Sequence, residues 1–279
     1  MTHHAVVVGG GTMGAGIAYV FAQNGYRVEV VDPSAVGRQT CMDTVGRVSQ
    51  RAVEQDRISE SDAQYIRERL TIHAEMSGST EQPRILVEAV PEEIELKRRV
   101  LREAEQRGPL LLATNTSSIS INALAESLER PDLFLGMHFF NPVWSNPLLE
   151  IVTGSSTSAS SLAMAADIAA EICKESIVVQ DSPGFASSRL GVALGLEAIR
   201  MVEQGVASAE DIDRAMEVGY RHPMGPLHLT DLVGLDVRLG IARNLERELG
   251  SRFAPPQLLV DMVSRGELGK KTGRGFFNW

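Results

Sequence analysis

The stretch that decides the fold is Ala5-Val6-Val7-Val8-Gly9-Gly10-Gly11-Thr12-Met13-Gly14. Four small or β-branched apolar residues in a row read as a strand buried on both faces. The glycines follow at once, and Ile17, Ala18, Phe21 and Ala22 then repeat at helical spacing. A second apolar run, Arg27 to Val31, ends at Asp32. Strand, Gly turn, helix, strand and acid in that order predict the first βαβ unit of a dinucleotide-binding fold. Gly9 permits the tight turn, Gly11 lets the backbone approach a pyrophosphate, and Gly14 lets the helix pack on the sheet. Asp32, eighteen residues past Gly14, is placed to bond the adenosine ribose hydroxyls and to repel a 2′-phosphate. NAD is therefore expected rather than NADP.

Outward from this unit, Ser34 to about Leu70 is charged and helical, broken near Asp56-Arg57-Ile58-Ser59. The pattern predicts an inserted helical hairpin whose second arm is capped by Ser59, with Asp62 three residues on. It projects over a ligand or merely decorates the surface. Strands are expected at Leu70–His73, Ile85–Val90, Leu110–Ala113, Leu133–Met137, Leu149–Val152 and Ile177–Val179. Helices intervene, notably Glu93–Gln106 and Ala159–Lys174. Such alternation predicts an α/β, Rossmann-type, mostly parallel sheet. After Asp181-Ser182-Pro183-Gly184 convincing strands stop. Helices are expected at about Phe185–Gln204, Ala209–Val218, Gly225–Leu235 and Asp236–Leu249, with a short last one opened by Pro255-Pro256. The expected organisation is a dinucleotide-binding domain over 1–182 and an all-helical C-terminal domain over 183–279 for substrate and dimerisation. Gly191 and Gly195 let the first of its helices pack closely, within the domain or against another subunit.

Polar residues gather at the predicted strand ends, where ligands bind in sheets of this kind. Ala89 to Glu93 follows one strand. Lys97, one turn into the next helix, reads equally as a cofactor contact or as an ordinary exposed lysine. Asn115-Thr116-Ser117-Ser118 follows another. Its hydroxyls and amide serve nicotinamide, ribose or a substrate oxygen, or else cap a helix. If Ser118 or Ser120 is the cap, Ser117 is left free. His138-Phe139-Phe140-Asn141-Pro142 ends a third, and Glu150 lies within Leu148-Leu149-Glu150-Ile151-Val152. An imidazole and a carboxylate embedded in apolar, strand-like sequence each need a partner. If they meet, Glu150 fixes the tautomer of His138 and raises its basicity, making a general base near neutral pH.

Composition bounds the class. The 279 residues are 43% hydrophobic and 23% charged with a net charge of −9. That balance argues against nucleic acid as main partner and against a basic membrane-surface patch. Only two cysteines occur, Cys41 and Cys173, both in text that reads as helical. No metal spacing exists, and a reduced compartment is expected. With a first strand at Ala5 no leader is expected, and no apolar run is long enough for a bilayer. A soluble, cytoplasmic protein is the resulting expectation.

At these residues the chain resembles the L-3-hydroxyacyl-CoA dehydrogenase family, including bacterial 3-hydroxybutyryl-CoA dehydrogenases. Gly9 to Ala18 looks like the family's N-terminal fingerprint. Asn115 to Ser118, His138 to Pro142 and Asp181-Ser182-Pro183-Gly184-Phe185 look like its internal motifs. Pro223 to Pro226, Asp231 to Asp236 and Lys271 to Phe276 look like its C-terminal ones. The resemblance implies His138 as catalytic base, Glu150 as its partner and Ser117 at the substrate oxygen near the nicotinamide. It implies NAD contacts from Gly9, Gly11, Thr12, Met13, Gly14, Asp32, Ala89, Glu92, Lys97, Asn115, Ser117 and Asn141. It further implies an acyl-CoA substrate, coenzyme A contacts from the hairpin and a homodimer through the C-terminal helices. Arg47, Arg51 and Arg57 are coenzyme A candidates by position. A short or unusual acyl group is expected. The rivals are a same-fold dehydrogenase of a free hydroxy acid and a catalytically weak NAD-binding protein.

Two departures stand out. The family's second domain usually opens Pro-Gly-Phe-x-x-Asn-Arg, its Asn holding the reacting oxygen. Here Ser188 takes that place as a substrate contact, and losing one such bond costs up to about a hundredfold in rate. After the His motif, Val143-Trp144-Ser145-Asn146-Pro147 replaces a small apolar linker. Trp144 reshapes the acyl pocket or packs on the surface.

Overall fold

The computed structural model describes residues 3–76 and 81–279. In chain order its first elements are β1 (His4–Val8), α1 (Thr12–Gln23), β2 (Arg27–Val31), α2 (Ala35–Glu54), α3 (Glu60–Glu68) and β3 (Leu70–His73). Next come β4 (Ile85–Glu88), α4 (Ile94–Glu105), β5 (Leu111–Thr114), α5 (Ile121–Ala125), β6 (Phe134–Phe139), β7 (Leu148–Thr153), α6 (Ala159–Glu171) and β8 (Glu175–Gln180). The described strands form one sheet in the order β3-β2-β1-β4-β5-β6-β7-β8. Every neighbouring pair is parallel except β6 and β7. The order of strand addition reverses between β1 and β4, so a crevice opens beyond their C-terminal ends. β1, at the centre, is buried along its whole length.

The packing follows from the sequence pattern. Ile17, Ala18, Phe21 and Ala22 of α1 are all buried against the sheet. The inserted hairpin is α2 and α3. Its Cys41, Val45, Val48 and Ile66 join the same core, so its apolar face is spent on packing beside α1. Ser34 caps α2, accepting from Gly37 N at 3.3 Å. Ser59 and Asp62 close a reciprocal capping box at α3, which satisfies donors the first turn leaves without partners.

Contacts divide the chain into two compact units, Met1–Asp181 and Ser182–Trp279. The second contains α7 (Ser187–Glu203), α8 (Ala209–Arg214), α9 (Pro226–Val233), α10 (Leu235–Leu249) and α11 (Gln257–Ser264) around their own core. α8 stops at Arg214 and widens into a π turn over Ala215–Gly219, earlier than its periodicity implies. Cys173 is not helical; it follows α6 with φ of +56°, a turn that ends the helix before β8. Gly195 of α7 packs inside this unit. A Cβ there would meet Thr230 Oγ1 at 3.1 Å and the Arg238 guanidinium at 3.7 Å. Arg238 is only 4% exposed, and burial pushes its pKa down to about 10. The C-terminal tail is latched by buried Asp231, whose carboxylate accepts from Phe276 N, Phe277 N and Trp279 Nε1, each at 2.9 Å.

Candidate active site

The Gly-rich turn between β1 and α1 has no room to spare. Gly9 takes φ of +107°, and a Cβ on it would lie 2.6 Å from Ala89 O. A Cβ on Gly14 would lie 1.8 Å from Gly9 O. Gly11 is different: nothing approaches its Cβ position within 4 Å, so its backbone faces open space. No side chain caps α1 at Gly11, which leaves the helix N-terminus to an anion. A cavity of about 750 Å³ at this edge is bordered by Gly9, Gly11, Thr12, Met13, Asp32 and Ala89. The Asp32 carboxylate ties the turn to β2. It accepts from Gly10 N at 2.7 Å and Ser34 N at 2.8 Å. An open Gly backbone, an uncapped helix end and a carboxylate one strand away fit a dinucleotide's pyrophosphate and adenosine ribose.

Sequence reasoning missed the far wall of that cavity. Leu96, Arg99, Val100 and Glu103 line it. Their i, i+3, i+4, i+7 spacing on α4 was the available signal.

At the ends of β4 and β5 a buried ion pair organises the loops. Glu88 is fully buried and Lys97 is 1% exposed, so Lys97 is not an exposed helix lysine. Lys97 Nζ donates to both Glu88 oxygens, at 2.8 and 3.1 Å, and to Val90 O at 3.1 Å. Glu88 also accepts from Val90 N and Thr114 Oγ1, each at 2.6 Å. Glu92 stands 3.3 Å from the same ammonium. Its other oxygen gathers Thr116 Oγ1 at 2.6 Å, Ser117 N at 2.9 Å, Ser118 N at 3.1 Å and the Ser117 hydroxyl at 3.3 Å. Burial works to raise the Glu92 carboxyl, but Lys97 and these donors outweigh it and hold the group below its usual value. Ser120, not Ser117, caps the next helix, accepting from Ala123 N at 3.2 Å.

His138 and Glu150 face each other because β6 and β7 are antiparallel and their register pairs these two residues directly. His138 Nδ1 and Glu150 Oε2 are 2.7 Å apart, with Glu150 fully buried. The Phe140 ring covers the imidazole at 4.4 Å between centroids. Asn115 fixes the adjacent backbone, its Oδ1 accepting from Phe139 N at 2.9 Å. Asn141 is exposed and joined to Pro142 by a cis peptide.

Comparison with known proteins decides the family. The description "3-hydroxyacyl-CoA dehydrogenase, NAD binding domain" matches residues 4–182, and "3-hydroxyacyl-CoA dehydrogenase, C-terminal domain" matches 184–279. The chain belongs to the 3-hydroxyacyl-CoA dehydrogenase family. A 3-hydroxybutyryl-CoA dehydrogenase of Mycobacterium tuberculosis is 37% identical, over 98% of this chain and 97% of that protein. The mitochondrial hydroxyacyl-coenzyme A dehydrogenase of Sus scrofa is 33% identical, over 100% of this chain and 92% of its own length. The crystal structure of (S)-3-hydroxybutyryl-CoA dehydrogenase PaaH1 from Ralstonia eutropha is 35% identical, with a TM-score of 0.92 covering 100% of this chain and 99% of that one. With membership come NAD as cofactor and NAD-dependent 3-hydroxyacyl-CoA dehydrogenase activity.

The hairpin side of the first unit carries a second cleft, apart from the cavity at the Gly turn. It is lined by Tyr19, Arg47, Arg51, Arg57 and Trp144, with a volume of about 390 Å³. The loop bearing Trp144 is clamped by Lys174, whose Nζ donates to Val143 O at 2.5 Å and Asn146 O at 2.6 Å. Trp144 packs on the core of the unit. No helix among the described residues is long and apolar enough to cross a membrane. No cluster of His, Cys, Asp or Glu among them is fit to hold a metal. Ser188 stands at the second position of α7, in the second unit.

Proposed function

We propose that this dehydrogenase oxidises a short-chain L-3-hydroxyacyl-CoA with His138 as general base and Glu150 as its partner. The observation that carries the reading is the buried 2.7 Å contact between His138 Nδ1 and Glu150 Oε2, at the sheet edge that also bears the Gly turn. A carboxylate on Nδ1 places the ring's proton there and leaves Nε2 to accept the substrate's 3-hydroxyl proton. Glu150 then stabilises the imidazolium. In the reverse direction the imidazolium returns its proton to the forming alkoxide. NAD, when bound, accepts the hydride. Gly9, Gly11, Thr12, Met13 and Gly14 hold its pyrophosphate and Asp32 its adenosine ribose. Ala89, Glu92, Asn115, Ser117 and Asn141 serve its nicotinamide half. Lys97 acts through Glu88 and Glu92, because its donors are already engaged by protein acceptors. Ser117 and Ser188 are the proposed hydrogen-bond donors to the substrate oxygen.

The cleft of Arg47, Arg51, Arg57 and Trp144 supports a coenzyme A thioester over a free hydroxy acid. Three guanidinium groups beside an indole suit phosphates attached to a purine. Relatives named for 3-hydroxybutyryl-CoA support a short acyl group. Exposed Leu190, Leu194, Leu232 and Val237 on α7, α9 and α10 support a homodimer through the C-terminal unit, which sedimentation at twice the chain mass would establish. A cytoplasmic location accords with two free cysteines.

The decisive experiment is NADH oxidation with acetoacetyl-CoA, run beside free acetoacetate and with NADPH as control. Turnover confined to the thioester and NADH is expected; equal turnover of free acetoacetate would sink the proposal. In the same assay Trp144→Ala and Arg51→Ala should each raise KM for acetoacetyl-CoA about tenfold, as expected for losing a stacking or charge contact. KM for an acetoacetyl thioester lacking the nucleotide should be unchanged. A change shared by both thioesters would remove the cleft from coenzyme A recognition.

A further inference from the structure

Glu88 is buried out of reach of substrate, and its part in the site is through Lys97. It is fully buried, and its carboxylate is the counter-ion that Lys97 meets at 2.8 and 3.1 Å. Lys97 is also within 3.3 Å of Glu92, so one ammonium stands between two carboxylates. Only Glu92 reaches outward, its side chain 37% exposed. Glu88 and Lys97 neutralise each other inside the protein, and the triad keeps one negative charge, placed on the group that faces the loops. Without Glu88, Lys97 would neutralise Glu92 instead.

That charge sits at a particular place on the sheet edge. A dinucleotide crossing this edge lays its adenosine over the end of β2, at Asp32, and its pyrophosphate over the end of β1. Its other half falls beyond β4 and β5, where Glu92 gathers Thr116, Ser117 and Ser118. Nicotinamide is cationic when oxidised and neutral when reduced. A group carrying one net negative charge beside it favours the oxidised ring, and removing that net charge removes the preference.

We propose that Glu88 is a positioning residue that biases this enzyme toward oxidised cofactor, by sharing Lys97 with Glu92 so that the triad keeps one net negative charge beside the nicotinamide. The inference rests on the reading that NAD binds along this edge. Glu88→Gln keeps the side chain's shape and one acceptor oxygen for Lys97 and Val90 N, turns its NH2 toward Thr114 Oγ1, and deletes the charge.

The test is binding, measured separately for NAD+ and NADH by titration calorimetry on the full chain. Wild-type protein comes first; if it binds neither nucleotide, the cofactor reading itself falls, and this inference with it. In Glu88→Gln the ratio of the NAD+ to the NADH dissociation constant should rise about five- to tenfold, the effect of one unit charge across a few ångströms of protein. NADH binding should be unchanged or tighter. A parallel loss of both affinities would make Glu88 a structural anchor only and overturn the proposal, as would no change in either. Glu92→Gln removes the same charge from a partly exposed position. It should shift the ratio in the same direction even if Glu88→Gln fails to fold, and an unchanged ratio there would also overturn the proposal.

Discussion

His138→Ala lowers kcat by about a thousandfold or more, in the range that general acid–base catalysis supplies, while the NADH dissociation constant stays within about twofold of the parent value. The His138 imidazole is the proposed acceptor of the hydroxyl proton, and its geometry is prepared in advance. The register of β6 and β7 sets Glu150 opposite it, and the Phe140 ring packs against it at 4.4 Å between centroids. None of these contacts belongs to the Gly turn, so cofactor binding is left alone. Glu150→Gln keeps a bonding partner for the ring but loses the charge that stabilises imidazolium. It should sit between the two, with kcat down about a hundredfold. The measurement is stopped-flow hydride transfer beside fluorescence titration of NADH. Turnover surviving in His138→Ala would mean that another group takes the proton.

Gly14→Ala abolishes nucleotide binding to beyond about a hundredfold and costs about 1–3 kcal/mol of stability, the usual range for forcing an extra methyl into a packed site. The methyl would stand 1.8 Å from Gly9 O, a backbone atom that cannot swing aside as a side chain would. Either α1 withdraws from the sheet or the turn opens, and both move the donors a pyrophosphate requires. Gly11→Ala is the matched control. Its Cβ position is open, so folding should be untouched and only the approach of the phosphates impeded. Thermal denaturation separates the two variants. Equal melting temperatures with parent-like NADH binding in Gly14→Ala would contradict the close packing seen here.

Much of this molecule was legible one residue at a time, and the reason is local. The strand, turn and helix of residues 5–22 are encoded by β-branched residues, positive-φ glycine and helical spacing, all of which act within a few residues. The capping box at Ser59 and Asp62 is equally local. Helix ends were less legible where tertiary packing decides them. α8 yields to a π turn at Ala215, and Cys173 leaves the helix in a left-handed turn although its neighbours read as helical. Lys97 shows the limit most sharply. Its pattern on an amphipathic helix is that of a solvated lysine, and only the approach of β4 and β5 puts Glu88 beneath it.

By itself, then, the chain's order of residues determined that a dinucleotide-type sheet would form, that Asp32 would close its second strand, and that His138 and Glu150 each needed a polar partner. Those are consequences of short-range sterics and of the cost of burying charge. That His138 and Glu150 answer each other depends on an antiparallel pairing between strands whose register no single segment specifies. That Arg47, Arg51 and Arg57 share a cleft with Trp144 depends on where the hairpin packs beside α1. That Lys97 serves two carboxylates depends on three elements meeting at once. Contacts between segments far apart in sequence are settled by the packing of the whole core, and there the tertiary structure alone decided.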